Sequence, residues 1–479
     1  VRLAGGFVLG FALLASGRRL ASSRRTLARV LTGGAVATLY IALYAGFQRY
    51  ALLSHAVAFA GMVATTAVAF ALAIRDDEAV HSLVGVLGGF ATPFLLDRGD
   101  GDVAALVVYA SLVLAGAAAV YAVQGWRVLL GTAAAGAWLV LGIACTWEER
   151  EAAVQAGVVF AALVAWWLPL GREALAAERP GWLPAPSLGL AIRVPEPLQW
   201  PHPQGLVLTT ALASYGLTAA LWEMEASAAG ALALVLAALW LAGAALTRTH
   251  PPLRSHAATH GIAAALLAVL GTTLLLDGDA LRVALAGEAW ALHALARQRG
   301  VAGPRLLGHA LFVALALWWL SELGSGLPKR PLLDPTAWSE LFMVAALGFA
   351  SALLRGEVKS AYRVAAHVTF LVWLLRELGD TTNGQALVSL AWTGYALTLL
   401  ALGLRRRAPS LRRAALATFL VIAAKLFLVD LRAVDVLWRI ASFLGLGVVL
   451  LGLSYRFADI WSEAGPDATG EVEQSPEDD

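Results

Sequence analysis

Stretches of about 18 to 24 apolar residues recur along nearly the whole chain, parted only by short polar breaks, and each is long enough as a helix to cross a hydrocarbon core of about 30 Å. Such runs admit few folds. Within lipid every backbone polar group must find its partner inside the protein, so a run of this length becomes a spanning helix. Composition agrees: 59% of the residues are hydrophobic and 14% are charged, where a water-soluble domain carries roughly a quarter. The expected fold is all-α, a polytopic integral membrane protein of about 17 transmembrane helices, with the bilayer as its principal partner.

Arginine placement then orients the threading, because short loops rich in Arg and Lys stay in the cytoplasm. Basic residues fall after the odd-numbered spans, as with Arg18, Arg19, Arg24 and Arg25, with Arg355, Lys359 and Arg363, and with Arg405, Arg406 and Arg407. The opposite ends are comparatively acidic, with Asp97, Glu223, Asp277, Glu377 and Asp430. This alternation predicts residue 1 outside and the C-terminus in the cytoplasm. The abundance of Arg over Lys, with many Ala, Gly and Leu, resembles GC-rich bacterial coding, so a bacterial inner membrane is the expected location.

Residues 1–170 read as an N-terminal bundle of about seven helices and 205–457 as a C-terminal bundle of about ten. Between them 171–204 holds seven of the eighteen prolines and reads as an extended cytoplasmic linker. Residues 458–479 are acidic, contain proline and lack an apolar pattern, which predicts a disordered tail. The C-terminal bundle also repeats itself. RVAAHVTFLV at 363–372 aligns without gaps on RRAALATFLV at 412–421, and the same register places Arg376 over Lys425. His260 and His309 share that spacing, so the unit is a helical hairpin of about fifty residues, and the fold is built from repeated hairpins.

Several positions invite chemistry. In GGFATPFLLDRGD, at 88–100, Pro93 removes a backbone donor and crowds the Gly89 carbonyl. One reading is a discontinuous helix whose freed backbone at Gly89, Thr92 and Pro93 binds a solute; the other is a packing kink in which the glycines allow close approach and Thr92 satisfies the backbone. Lys425 lies about 20 Å along its helix from Arg412, within the bilayer, where a charge needs a partner or a snorkelling path. Glu377, Asp435 and Asp97 are its candidate partners, and Arg376 has Asp380 one turn later. With Asp430 and Arg439 these form either a polar site opening outward or structural ion pairs at helix ends. His256 and His260 have the i, i+4 spacing of metal-binding histidines, but no third ligand accompanies them. His55, Glu288 and His293 fit either a proton relay or interhelical hydrogen bonds.

Other classes fall away. No GxxxxGK[ST], nucleophile elbow or zinc-protease motif occurs. Basic residues are scattered rather than gathered into a patch, so no nucleic-acid partner is expected. The single cysteine, Cys145, supports neither a disulfide nor a cysteine metal site. No metal, cofactor or catalytic residue is expected.

GGFATPFLL at 88–96, LTGGAVATLYIALYA at 31–45 and above all the block from Ser389 to Tyr455, with KLFLVDLRAVDVLWRIASF inside it, resemble the bacterial membrane proteins grouped as domain of unknown function 2339. Members of that group commonly begin with a soluble segment and further spans ahead of the region that starts here. The resemblance implies a multi-pass inner-membrane protein and supplies no reaction. A transporter or flippase for a small polar or lipid-linked solute is the leading functional expectation. A membrane enzyme acting on a lipid-linked or glycan substrate at the outer face, and a non-catalytic envelope scaffold, are the alternatives.

Overall fold

The computed structural model describes residues 2–97, 102–147, 151–185, 187–189, 203–299, 302–323 and 332–428, together with positions 444, 448 and 451. The described residues form sixteen α-helices and no sheet. In chain order they are α1 (Arg2–Leu20), α2 (Arg25–Tyr44), α3 (His55–Asp76), α4 (Ala79–Leu95), α5 (Val103–Gln124), α6 (Arg127–Ala144), α7 (Glu151–Glu178) and α8 (Pro203–Leu221). There follow α9 (Ala226–Thr249), α10 (Arg254–Leu275), α11 (Gly278–Arg299), α12 (Ala302–Glu322), α13 (Pro335–Leu353), α14 (Gly356–Leu378), α15 (Gly384–Arg405) and α16 (Pro409–Leu428). Eleven of these helices are long and apolar enough to cross a bilayer, and α4 and α8 are apolar but shorter. The expected seventeenth span, 436–455, lies outside the described residues except at 444, 448 and 451, as do the tail 458–479 and residues 190–202 of the Pro-rich segment.

Local chemistry sets the helix ends. Ser54 and Asp102 accept hydrogen bonds from the first-turn amides of Val57 and Ala104, and Asp334 with Pro335 opens α13 in the same way. Chain direction reverses after α5 at Gly125, whose φ of +73° is a left-handed conformation that glycine adopts at little cost.

Two compact units result, Val1–Leu315 and Ala316–Asp479, with the boundary inside α12. The division by packing therefore falls elsewhere than the change in composition at 171–204. Residues 171–178, read from composition as linker, continue α7, and α7 packs on α8 through Trp166, Leu170, Val207 and Ala211. Beyond α7 the chain folds back on the first unit: the Arg127 and Val128 amides donate to the carbonyls of Ser187 and Leu188.

Inside the first unit the loops gather as an alternating thread requires. At one end Arg18 pairs with Asp76 at 3.6 Å, and Arg25 and Arg29 meet Glu78, joining the α1–α2 and α3–α4 turns. At the other end the Gln48 amide donates to the carbonyls of Leu95 and Asp97. The interior is filled. Val, Leu and Ala from α4 to α7 make the largest core, while Trp166 stacks on Trp240 with ring centres 4.2 Å apart. Polarity is distributed inside out: Thr92, His81, His260, His293 and Glu340 are buried, whereas Leu112, Leu139, Val235 and Leu390 face outward. Exposed leucine beside buried threonine and histidine is the arrangement lipid selects and water does not.

Candidate functional site

Pro93 lies within a continuous α4, not between two half-helices. Thr92 Oγ1 donates to the Gly88 carbonyl at 2.8 Å, and the Leu96 amide returns to the Thr92 carbonyl, so the backbone around the proline has local partners. The two glycines serve contact. A Cβ on Gly88 would fall 2.4 Å from the Tyr40 ring, and one on Gly89 would fall 3.1 Å from Val113. The Tyr40 hydroxyl in turn meets Thr66 Oγ1 at 2.6 Å and the Gly85 carbonyl at 3.3 Å. GGFATP thus seats α4 against α2, α3 and α5 through small residues and hydroxyls, which is how helices approach closely in lipid.

The second unit arranges its charges differently. Arg376, near the end of α14, directs its guanidinium to the carboxylate of Glu340 on α13, which is fully buried, rather than to Asp380 in the turn that follows. Glu377, buried beside it, accepts the Leu332 amide at 3.0 Å. Lys425, near the end of α16, directs its ammonium to the Gln385 carbonyl at 2.8 Å and to Ser389 Oγ at 3.0 Å, both on α15. Asp430, Asp435 and Arg439 lie outside the described residues. Gly89, Thr92 and Pro93 belong to the first unit, and Arg376, Glu377 and Lys425 to the second.

The forty-nine-residue register that superposes Arg376 on Lys425 also superposes Glu340 on Ser389. The contacts Arg376–Glu340 and Lys425–Ser389 are therefore the same contact in two successive hairpins, a cation late in the second helix reaching the first. In the α13–α14 copy the acceptor is a carboxylate; in the α15–α16 copy it is a hydroxyl. Sequence reasoning missed Glu340, although the repeat register pointed to it.

Beside Lys425 runs a groove of about 870 Å³, walled by Gly379, Thr381, Asn383, Gly384, Gln385, Ala386, Ser389, Leu390, Thr393, Ile422 and Leu426. The 3.6-residue helical period orders this wall. Gln385, Ser389 and Thr393 make a polar row at four-residue spacing, Ala386 and Leu390 make an apolar row one position on, and Ile422 and Leu426 of α16 complete the lining. The groove extends about 12 Å along α15 from its first turn.

Histidines mark the repeated hairpins as hydrogen-bond junctions. His260 on α10 donates from Nδ1 to the His256 carbonyl, so its Nε2 accepts the indole N–H of Trp166. His256 itself meets Glu173 at 2.7 Å. The two histidines thus have separate partners on α7. His293 Nδ1 donates to the Ala289 carbonyl, which leaves Nε2 to accept from His309 across α11 and α12 at 3.2 Å. In the second unit Thr418 donates to the Ala414 carbonyl, so His367 donates from Nε2 to Thr418 and accepts from the Tyr395 hydroxyl. Each ring joins helices, and in the neutral form its partners fix its tautomer.

Apolar helices of bilayer length and polar side chains turned inward define a multi-span α-helical membrane protein. The family model described as "Predicted membrane protein (DUF2339)" matches residues 1–377 and 301–460. The chain belongs to that family. No curated protein and no solved structure matches it.

Proposed function

We propose that the protein moves a small polar or lipid-linked solute across the membrane, as a transporter or flippase, and that the α15–α16 groove is where the solute engages. The observation that carries this reading is the groove's placement: a polar row of Gln385, Ser389 and Thr393 descends a helix that is otherwise apolar and of spanning length, beside a buried lysine. Polar and ionisable groups cost free energy in hydrocarbon, and where they line a recess they mark solute pathways. Arginine placement supports a cytoplasmic C-terminus, and the Arg-rich, Ala- and Gly-rich composition supports a bacterial inner membrane. On that topology the α14–α15 turn, and with it the mouth of the groove, faces outward. Tags inserted at residues 26 and 408 should then be inaccessible from outside intact cells; labelling of either there would reverse the orientation.

The test of transport is lipid and solute movement in liposomes containing the purified protein. Inner-leaflet NBD-labelled glycolipid and phospholipid should become accessible to dithionite faster than in protein-free liposomes, or radiolabelled polyols should cross faster. Equal rates for every probe, with and without protein, would reject the reading. A second reading rests on the first unit, whose interior is filled by Val, Leu, Ala and stacked Trp: a non-catalytic scaffold requires only such packing.

A further inference from the structure

From the hydrogen-bonding capacity of the groove wall we infer the chemical class of its ligand: an amphiphile whose headgroup carries hydroxyl donors, a sugar or other polyol on a hydrocarbon chain. The inference rests on the groove being a solute site. The hydroxyl hydrogens of the wall are committed to its own backbone. Thr381 Oγ1 donates to the Leu378 carbonyl at 2.8 Å, Thr393 Oγ1 to the Ser389 carbonyl at 2.7 Å and Ser389 Oγ to the Gln385 carbonyl at 3.1 Å. A hydroxyl has one hydrogen and two lone pairs, so each of these side chains accepts in any other bond it makes. The Gln385 amide sends one N–H to the Gly379 carbonyl and keeps its second N–H and its oxygen.

Lys425 directs its ammonium to the Gln385 carbonyl and Ser389 and is not among the residues that line the groove. The wall is therefore rich in acceptors. A phosphodiester or carboxylate, which only accepts, would find no donor in the hydroxyl row and would have only the amides of Gln385 and Asn383 among the side chains of the wall, and a quaternary ammonium has no hydrogen to give. Hydroxyl groups match it, and Asn383, at the mouth, has an amide that both donates and accepts. The other side of the groove fixes the rest of the ligand. Leu390, Ile422, Leu426 and Ala386 offer no hydrogen bond and run alongside the polar row, so head and chain have separate tracks.

The test uses the full-length protein in open membrane fragments, with Cys145→Ala giving a cysteine-free background and Ala386→Cys placing a thiol in the groove without altering a polar wall residue. A water-soluble methanethiosulfonate is expected to label this thiol. Octyl glucoside, below solubilising concentration, should slow labelling several-fold, whereas octyl phosphate and octyltrimethylammonium at the same concentration should not. Thr393→Val in the same background, which keeps the side-chain volume and removes the hydroxyl, should abolish that protection. Protection by octyl phosphate but not by octyl glucoside would overturn the headgroup assignment and leave the groove as a solute site. Failure of the thiol to label, or equal protection by all three amphiphiles, would overturn the assignment and remove the groove as a specific site, even where liposome transport is observed.

Discussion

Replacing Glu340 by leucine should unfold the second unit more readily than any substitution on its outer face, with a loss of about 3–5 kcal/mol, the range for breaking a buried ion pair by removing one partner. The Glu340 carboxylate is fully buried and Arg376 is largely so, with side-chain exposures of 1% and 13%. Without the carboxylate a guanidinium remains in a low-dielectric setting, short of the group that balances its charge. The double substitution Glu340→Leu with Arg376→Met removes both charges and should recover most of the loss, because a buried pair exchanged for apolar side chains of similar volume is often neutral. Thermal midpoints of the purified protein in one detergent, arranged as a double-mutant cycle, provide the measurement. If the double variant is as unstable as the single one, stability at this position comes from packing and the ion pair contributes little.

That pair also marks how far the sequence could be read. Span lengths and arginine bias follow directly from the solvent, since lipid penalises every unpaired backbone group and every exposed charge, and sixteen described helices stand against about seventeen expected. Pairing inside the bilayer is a different problem. Glu377, Asp435 and Asp97 all lay within reach of Lys425 by depth along the chain, yet the described contacts of its ammonium are a backbone carbonyl and a hydroxyl. A backbone carbonyl also accepts from an ammonium, and no residue type announces it. Arg376 had Asp380 one turn away, but the carboxylate it uses comes from another helix of its hairpin. Only the forty-nine-residue repeat carried that information, because a duplicated hairpin duplicates its contacts.

The Pro93 region was ambiguous for a related reason. Glycine, threonine and proline together suit both a broken helix and a tight crossing, and the choice depends on what stands opposite. Opposite Gly88 stands the ring of Tyr40, on α2, forty-eight residues earlier and outside anything the local motif encodes. Local sequence specifies the small surface; the distant aromatic decides its use. The groove at α15 was hidden similarly: Gln385, Ser389 and Thr393 share one helix face by spacing alone, but only the packing of α16, with Ile422 and Leu426, makes that face a groove.

Because the two hairpins differ at one acceptor, exchanging it separates stability from solute movement. Ser389→Glu gives α15 the carboxylate that α13 carries at Glu340, placed toward the ammonium of Lys425 as Glu340 is toward Arg376. A hydrogen bond to a charged partner contributes about 1.5–3 kcal/mol, so the thermal midpoint should rise or at least hold. The same side chain enlarges the wall and puts a negative charge in the polar row, so labelling of Ala386→Cys should slow and any protein-dependent movement of glycolipid should stop. Ser389→Ala is the control: it removes the hydroxyl, leaves the groove open and should weaken movement without closing it. A protein destabilised by Ser389→Glu would show that the hairpins are not equivalent at this level. One stabilised yet still moving glycolipid at the original rate would show that the groove lies off the path.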